Sequence, residues 1–129
     1  MINTLHVLLV EDNKLALHFI QSIAQQAGLS YTSALDGESA LQLAQTESFD
    51  LVITDIGLPG ISGYELANAI RHWEKIQGKT PVPIIGLTAL DLEEAKPKCR
   101  ESGMNTVLKK PIQLKTIHEM VAQYLSNSK

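Results

Sequence analysis

Apolar residues in this chain fall into five short runs, separated by longer stretches where they recur every three or four positions. The runs cover 5–10, 30–34, 51–54, 84–87 and 106–108. Short apolar runs bounded by turn formers read as strands, and the most continuous ones as parallel strands buried on both faces. Between them lie helical patterns. Across 14–27, Ile20, Ile23, Ala24 and Ala27 share a core-facing spacing, and Gly28 ends the helix. After the Asp36-Gly37 turn, Ala40, Leu41 and Ala44 mark a second helix. Ser62 with Glu65 three residues on forms a capping box for a third, carrying Leu66, Ile70 and Trp73 inward. Pro81 and Pro83 bracket the entry to the fourth strand, where proline is tolerated. A final helix follows Pro111, with Leu114, Ile117, Val121 and Leu125 on one face.

The fourth helix is the irregular one. Pro97 must open or break it. The expectation is a short helix starting near Lys96 after a loose segment over 89–95.

Five strand–helix repeats predict an α/β fold with helices on both faces of a doubly wound parallel sheet. Order 2-1-3-4-5 is the common choice at this size. At 129 residues the chain is expected to be a single domain, 1–129.

Composition narrows the function classes. Hydrophobic content of 44% and charged content of 19% describe an ordinary globular chain. The net charge of −3 speaks against direct nucleic-acid binding. Lys96, Lys98 and Arg100 are offset by Glu93, Glu94 and Glu101 and read as a solvated helix face. The single cysteine, Cys99, cannot close an internal disulfide. No run approaches membrane-spanning length, and residues 1–10 read as a strand rather than a targeting signal. A cytoplasmic location with no membrane contact is the expectation.

The chemistry gathers where the strands end. The first run leads into Glu11-Asp12, the third into Asp55, the fourth into Thr88 and the fifth into Lys110-Pro111. Ligands of open parallel sheets bind beyond the carboxyl ends of the strands, so these residues should meet at one edge. Two carboxylates about 4 Å apart repel by roughly 4 kcal/mol at an effective dielectric near 20. Three acids together therefore either keep some carboxylates protonated or hold a cation, for which hard oxygen ligands favour Mg²⁺. The competing role is helix capping, open to Asp12 or Asn13. Asp55 is the best candidate nucleophile for a phosphoryl group, and the glycine-rich loop 57–63 lets backbone approach it. Thr88 and Lys110 supply a hydroxyl and an ammonium for the transferred oxygens.

Glu11-Asp12, Thr54-Asp55 followed by Pro59-Gly60 and Gly63, Leu87-Thr88-Ala89 and Lys110-Pro111-Ile112 resemble, in this order and spacing, the response-regulator receiver domain. The resemblance runs from about Leu5 to Leu125 and is strongest to receivers of hybrid sensor kinases or free-standing phosphorelay receivers. It implies the flavodoxin-like receiver fold with five helices. Asp55 would be the phospho-acceptor, and Glu11, Asp12, Asp55 and the Gly57 backbone carbonyl the Mg²⁺ ligands. Thr88 and Lys110 would be phosphoryl ligands, with Lys109 facing solvent and a cis peptide between Lys110 and Pro111. The implied partner is a histidine kinase or histidine phosphotransfer protein.

Two positions depart from the family. Val107 stands where receivers usually carry Tyr or Phe, and Pro97 interrupts the fourth helix. Both fall on the surface many receivers use for dimerisation, so any dimer is expected to be weak. Leu15 and Phe19, one helical turn apart, could instead form an apolar stripe for a phosphotransfer helix, or simply pack in the core. Slow self-dephosphorylation is expected, because neither Gly57 nor Leu90 can hold an attacking water with a side-chain hydrogen bond. Three rivals remain. A Mg²⁺-dependent aspartate phosphohydrolase lacks its second acid, since that position is Gly57. A flavin-binding protein lacks its phosphate-cradling loop, and a pseudo-receiver would only bind partners.

Overall fold

The computed structural model describes residues 4–125. Strands β1 (His6–Val10), β2 (Ser30–Ala34), β3 (Leu51–Asp55), β4 (Ile84–Thr88) and β5 (Thr106–Lys109) alternate with helices α1 (Lys14–Gln26), α2 (Gly37–Thr46), α3 (Gly63–Gln77), α4 (Leu92–Ser102) and α5 (Leu114–Leu125). All four strand pairings are parallel, in the order β2-β1-β3-β4-β5 expected from the repeat pattern. β1 begins one residue into the stretch 5–10 read as the first strand.

Alternation along the strands divides the core in two. Leu8, Val10, Val52 and Ile84 pack with Leu66, Ala67 and Ile70 of α3. Val7, Leu9, Ile53, Ile85 and Leu87 pack with Ile20 and Ile23 of α1 and Ile117 of α5. β1, β3 and β4 are therefore apolar on both faces, and truncating a fully buried leucine such as Leu8 to alanine costs about 2–5 kcal/mol. Asn13, not Asp12, caps α1 by accepting from the Ala16 N–H at 2.9 Å. Ser62 and Glu65 make the predicted capping box.

Three expectations change. α4 starts at Leu92, four residues before Lys96, and runs through Pro97. The Asp91 side chain caps it, taking the Glu93 N–H at 2.8 Å, and Glu93 and Glu94 complement the helix dipole. Burial of Ala95, Cys99 and Ser102 on one face outweighs the one backbone bond that Pro97 cannot make. Ala27 is half-buried as the α1 C-cap rather than a core residue. Trp73 is likewise half-buried, and its neighbour Glu74 takes the buried position.

Candidate functional site

Each predicted site residue lies at the carboxyl edge of the sheet, and the backbone explains why. β1 and β3 are neighbours, so the acids that follow Val10 and close β3 come side by side. The Glu11 N–H extends the β1–β2 ladder to the Ala34 carbonyl, which keeps Glu11 in the sheet and 1% exposed. Asp55 is buried and Asp12 is exposed. One carboxylate oxygen from each of the three lies within 4.8 Å of the others. Lys110 reaches in from the loop after β5, held by its own N–H on the Thr88 carbonyl at 2.8 Å. The peptide between Lys110 and Pro111 is cis. Lys109 is exposed, as expected.

The Lys110 Nζ stands 2.8 Å from Glu11 Oε1 and 3.3 Å from Asp55 Oδ1. Burial works against its charge, but the two carboxylates outweigh that and hold its pKa above the ordinary lysine value. Glu11 Oε2 accepts from the Asn13 N–H at 3.0 Å. Glu11 Oε1 is buried and faces the Lys110 ammonium at 2.8 Å. Three carboxylates against one ammonium leave two negative charges uncompensated at the edge of the sheet. A hard divalent cation fits both the charge and the donor set.

Thr88 is buried at the end of β4, and its Oγ1 accepts the Leu90 N–H at 3.0 Å. That acceptor bond leaves the hydroxyl proton free for another oxygen. Gly57 lies exposed two residues beyond Asp55, with open space where a side chain would start. Gly63 is different. A Cβ there would sit 2.4 Å from the Asp55 carbonyl oxygen and 2.8 Å from Ile56 Cα, so only glycine lets α3 start against the end of β3.

Sequence reasoning missed two features. Thr54, wholly buried, donates its hydroxyl to the Asp55 carbonyl at 2.9 Å. At the opposite end of the sheet, buried Glu74 takes Arg71 Nη1 at 2.9 Å and the Val82 N–H at 2.8 Å. Arg71 Nε continues to the Gly103 carbonyl, tying α3 to the end of α4. A polar residue inside an apolar strand was the available signal for Thr54. None existed for the burial of Glu74, because its partner Val82, and the Gly103 carbonyl that holds Arg71, come near only in three dimensions. Cys99 is buried, and desolvation pushes its thiol pKa up.

Comparison with known proteins agrees with this geometry. The model of the response regulator receiver domain matches residues 7–122. The sensor histidine kinase GacS of Pseudomonas protegens is 37% identical over 118 residues, which is 92% of this chain and 13% of that protein. The receiver domain of the Saccharomyces cerevisiae response regulator Ssk1, solved with the histidine phosphotransfer protein Ypd1, superposes with a TM-score of 0.87 at 30% identity, covering 96% of this chain and 90% of that one. The receiver domain of the sensor histidine kinase PA1611 of Pseudomonas aeruginosa, solved with a magnesium ion in its active-site cleft, gives 0.81 at 27%, covering 97% and 100%. With an acidic strand-end cluster, a bridging lysine and a family match over most of its length, the chain belongs to the response regulator receiver domains.

Proposed function

We propose that the chain works as one phospho-acceptor unit in which Asp55 takes a phosphoryl group from a phosphohistidine in a Mg²⁺-dependent reaction. The observation that carries it is the acidic cluster of buried Glu11 and Asp55 with exposed Asp12, bridged by Lys110 and left two charges negative. An Asp55 carboxylate oxygen attacks phosphorus as the P–N bond to the donor imidazole breaks, and the bonding pair leaves on the imidazole nitrogen. The Lys110 ammonium and the Thr88 hydroxyl take the phosphoryl oxygens. Glu11, Asp12, Asp55 and the Gly57 carbonyl would hold Mg²⁺, which when bound offsets charge on those oxygens. Asp55 ends the reaction as an aspartyl phosphate, so the chain is a stoichiometric acceptor rather than a turnover enzyme.

The donor is a histidine kinase or a histidine phosphotransfer protein. Leu15 and Phe19 are 84% and 45% exposed, so the core-packing alternative for them fails. Phe19, Pro111 and Ile112 border an apolar hollow of about 210 Å³ that also reaches Lys110. An amphipathic helix laid there would bring its histidine to the acidic cluster. The complex solved for the Ssk1 receiver supports a partner of this kind. The setting is the cytoplasm, and no helix among the described residues is long and apolar enough to cross a membrane.

The test is transfer from a phosphorylated histidine phosphotransfer protein. Leu15→Ala with Phe19→Ala should slow that transfer roughly tenfold or more, the loss of 1.4 kcal/mol or more at an interface anchor, and leave phosphorylation by acetyl phosphate unchanged. Equal loss with both donors, or loss with neither, would remove the docking role.

A further inference from the structure

β3 is apolar at Leu51, Val52 and Ile53 and then places a threonine at 54, flanked in register by Val10 on β1 and Gly86 on β4. Valine has the same shape and suits a buried strand as well, so a hydroxyl in this setting needs an explanation. Its hydrogen-bond partner is the carbonyl of the very next residue, Asp55.

Two backbone hydrogen bonds restrain the chain between that carbonyl and Gly57. The Ile56 N–H meets the Leu87 carbonyl at 3.0 Å, and the Ile56 carbonyl accepts from the Gly63 N–H at 2.9 Å. Gly63 comes so close to the same Asp55 oxygen that a Cβ there would clash with it. Around Gly57 itself the space is open. The direction in which the Asp55–Ile56 peptide leaves the sheet therefore governs where Gly57 lies relative to Glu11, Asp12 and Asp55. The Leu87 carbonyl holds the N–H of that peptide, while at its carbonyl the Thr54 hydroxyl and Gly63 set how it turns.

We propose that Thr54 is a positioning residue for the phospho-acceptor site: by holding the Asp55 carbonyl it sets the course of the chain from Asp55 to Gly57, and with it the site's affinity for Mg²⁺. This rests on the phospho-acceptor reading of Asp55 and Gly57. Thr54 touches neither the phosphoryl group nor the cation, and acts through the backbone. Removal of partners that orient metal ligands commonly weakens metal binding by about 10- to 100-fold.

The full chain, Thr54→Val and Thr54→Ser are compared by calorimetric titration with Mg²⁺, by thermal unfolding, and by phosphorylation from acetyl phosphate across Mg²⁺ concentrations. Thr54→Val should bind Mg²⁺ about tenfold more weakly and react slowly at limiting Mg²⁺, with most of the rate recovered at saturation. Thr54→Ser should stay near wild type. Unchanged Mg²⁺ affinity in Thr54→Val, even with a lowered Tm, would overturn the proposal and leave the hydroxyl a purely structural role. If the valine variant does not fold, Thr54→Ala against Thr54→Ser makes the same comparison, since they differ by the hydroxyl alone. A wild type that binds Mg²⁺ yet gains no phosphoryl group would count against the phospho-acceptor reading, while the Mg²⁺ affinities still decide the role of Thr54.

Discussion

Asp55, Thr88 and Lys110 each have an ordinary life as strand-end residues, and what changes their chemistry is the company the sheet gives them. Lys110 is held charged by Glu11 and Asp55 although burial opposes it, so its ammonium serves across the neutral range. Cys99 has the opposite setting. It is 3% exposed, and burial raises its thiol pKa, so the reactive thiolate is scarce at neutral pH. Native protein should therefore react with a thiol reagent far more slowly than protein in urea, with the native rate rising as pH increases toward the raised pKa. Equal native and unfolded rates at pH 8 would contradict the buried placement. At this scale the sequence was largely legible, because the chemistry sits at strand ends and a strand end can be located from where an apolar run stops. Thr54 is legible only as the neighbour of Asp55, because its role lies in a bond to the main chain. The close approach of Gly63 to Asp55 escaped notice: a glycine in a loop of glycines marks a turn, not what packs against it.

Among the elements, α4 shows a local rule overridden by tertiary packing. Pro97 argued for a late start, yet an Asp91 cap and a buried Ala95–Cys99–Ser102 face hold the helix from Leu92. Pro97 is exposed and lacks the N–H that would return to the carbonyl four residues back, so it remains a weak point. Pro97→Ala should raise stability by about 1–3 kcal/mol in urea denaturation, and a lowered midpoint would mean that Pro97 has contacts beyond the helix. The complete helix also alters the expectation for the α4–β5 surface. Of its two departures only Val107 remains, buried in the apolar layer with Ala95, Cys99 and Met104. α1 was read more closely, except that the exposure of Leu15 and Phe19 could not be settled by spacing. A helix shows which residues share a face, and only the packed neighbours decide whether that face is covered.

For the molecule as a whole, strand order and crossover rules were enough to bring residues 11, 55, 88 and 110 to one edge. Two hollows of about 390 and 410 Å³ lie near the C-terminal end of α3, around Trp73, Glu74 and Lys79, away from that edge. At that edge Asp12 and Gly57 are exposed beside buried Asp55, and a site open to solvent suits a macromolecular donor better than an enclosed small substrate. Neither Gly57 nor Leu90 offers a side-chain hydrogen bond to an attacking water. The phosphorylated form should persist, and Gly57→Asn, placed in open space, should shorten its lifetime. A rapid wild-type decay that Gly57→Asn leaves unaltered would contradict this. The most direct test of the central claim is intact mass after incubation with acetyl phosphate, with and without Mg²⁺, beside Asp55→Asn. The site described here predicts the gain of one phosphoryl group that requires Mg²⁺ and is absent from Asp55→Asn. Phosphorylation that persists in Asp55→Asn, or no gain in the wild type with Mg²⁺ present, would contradict it.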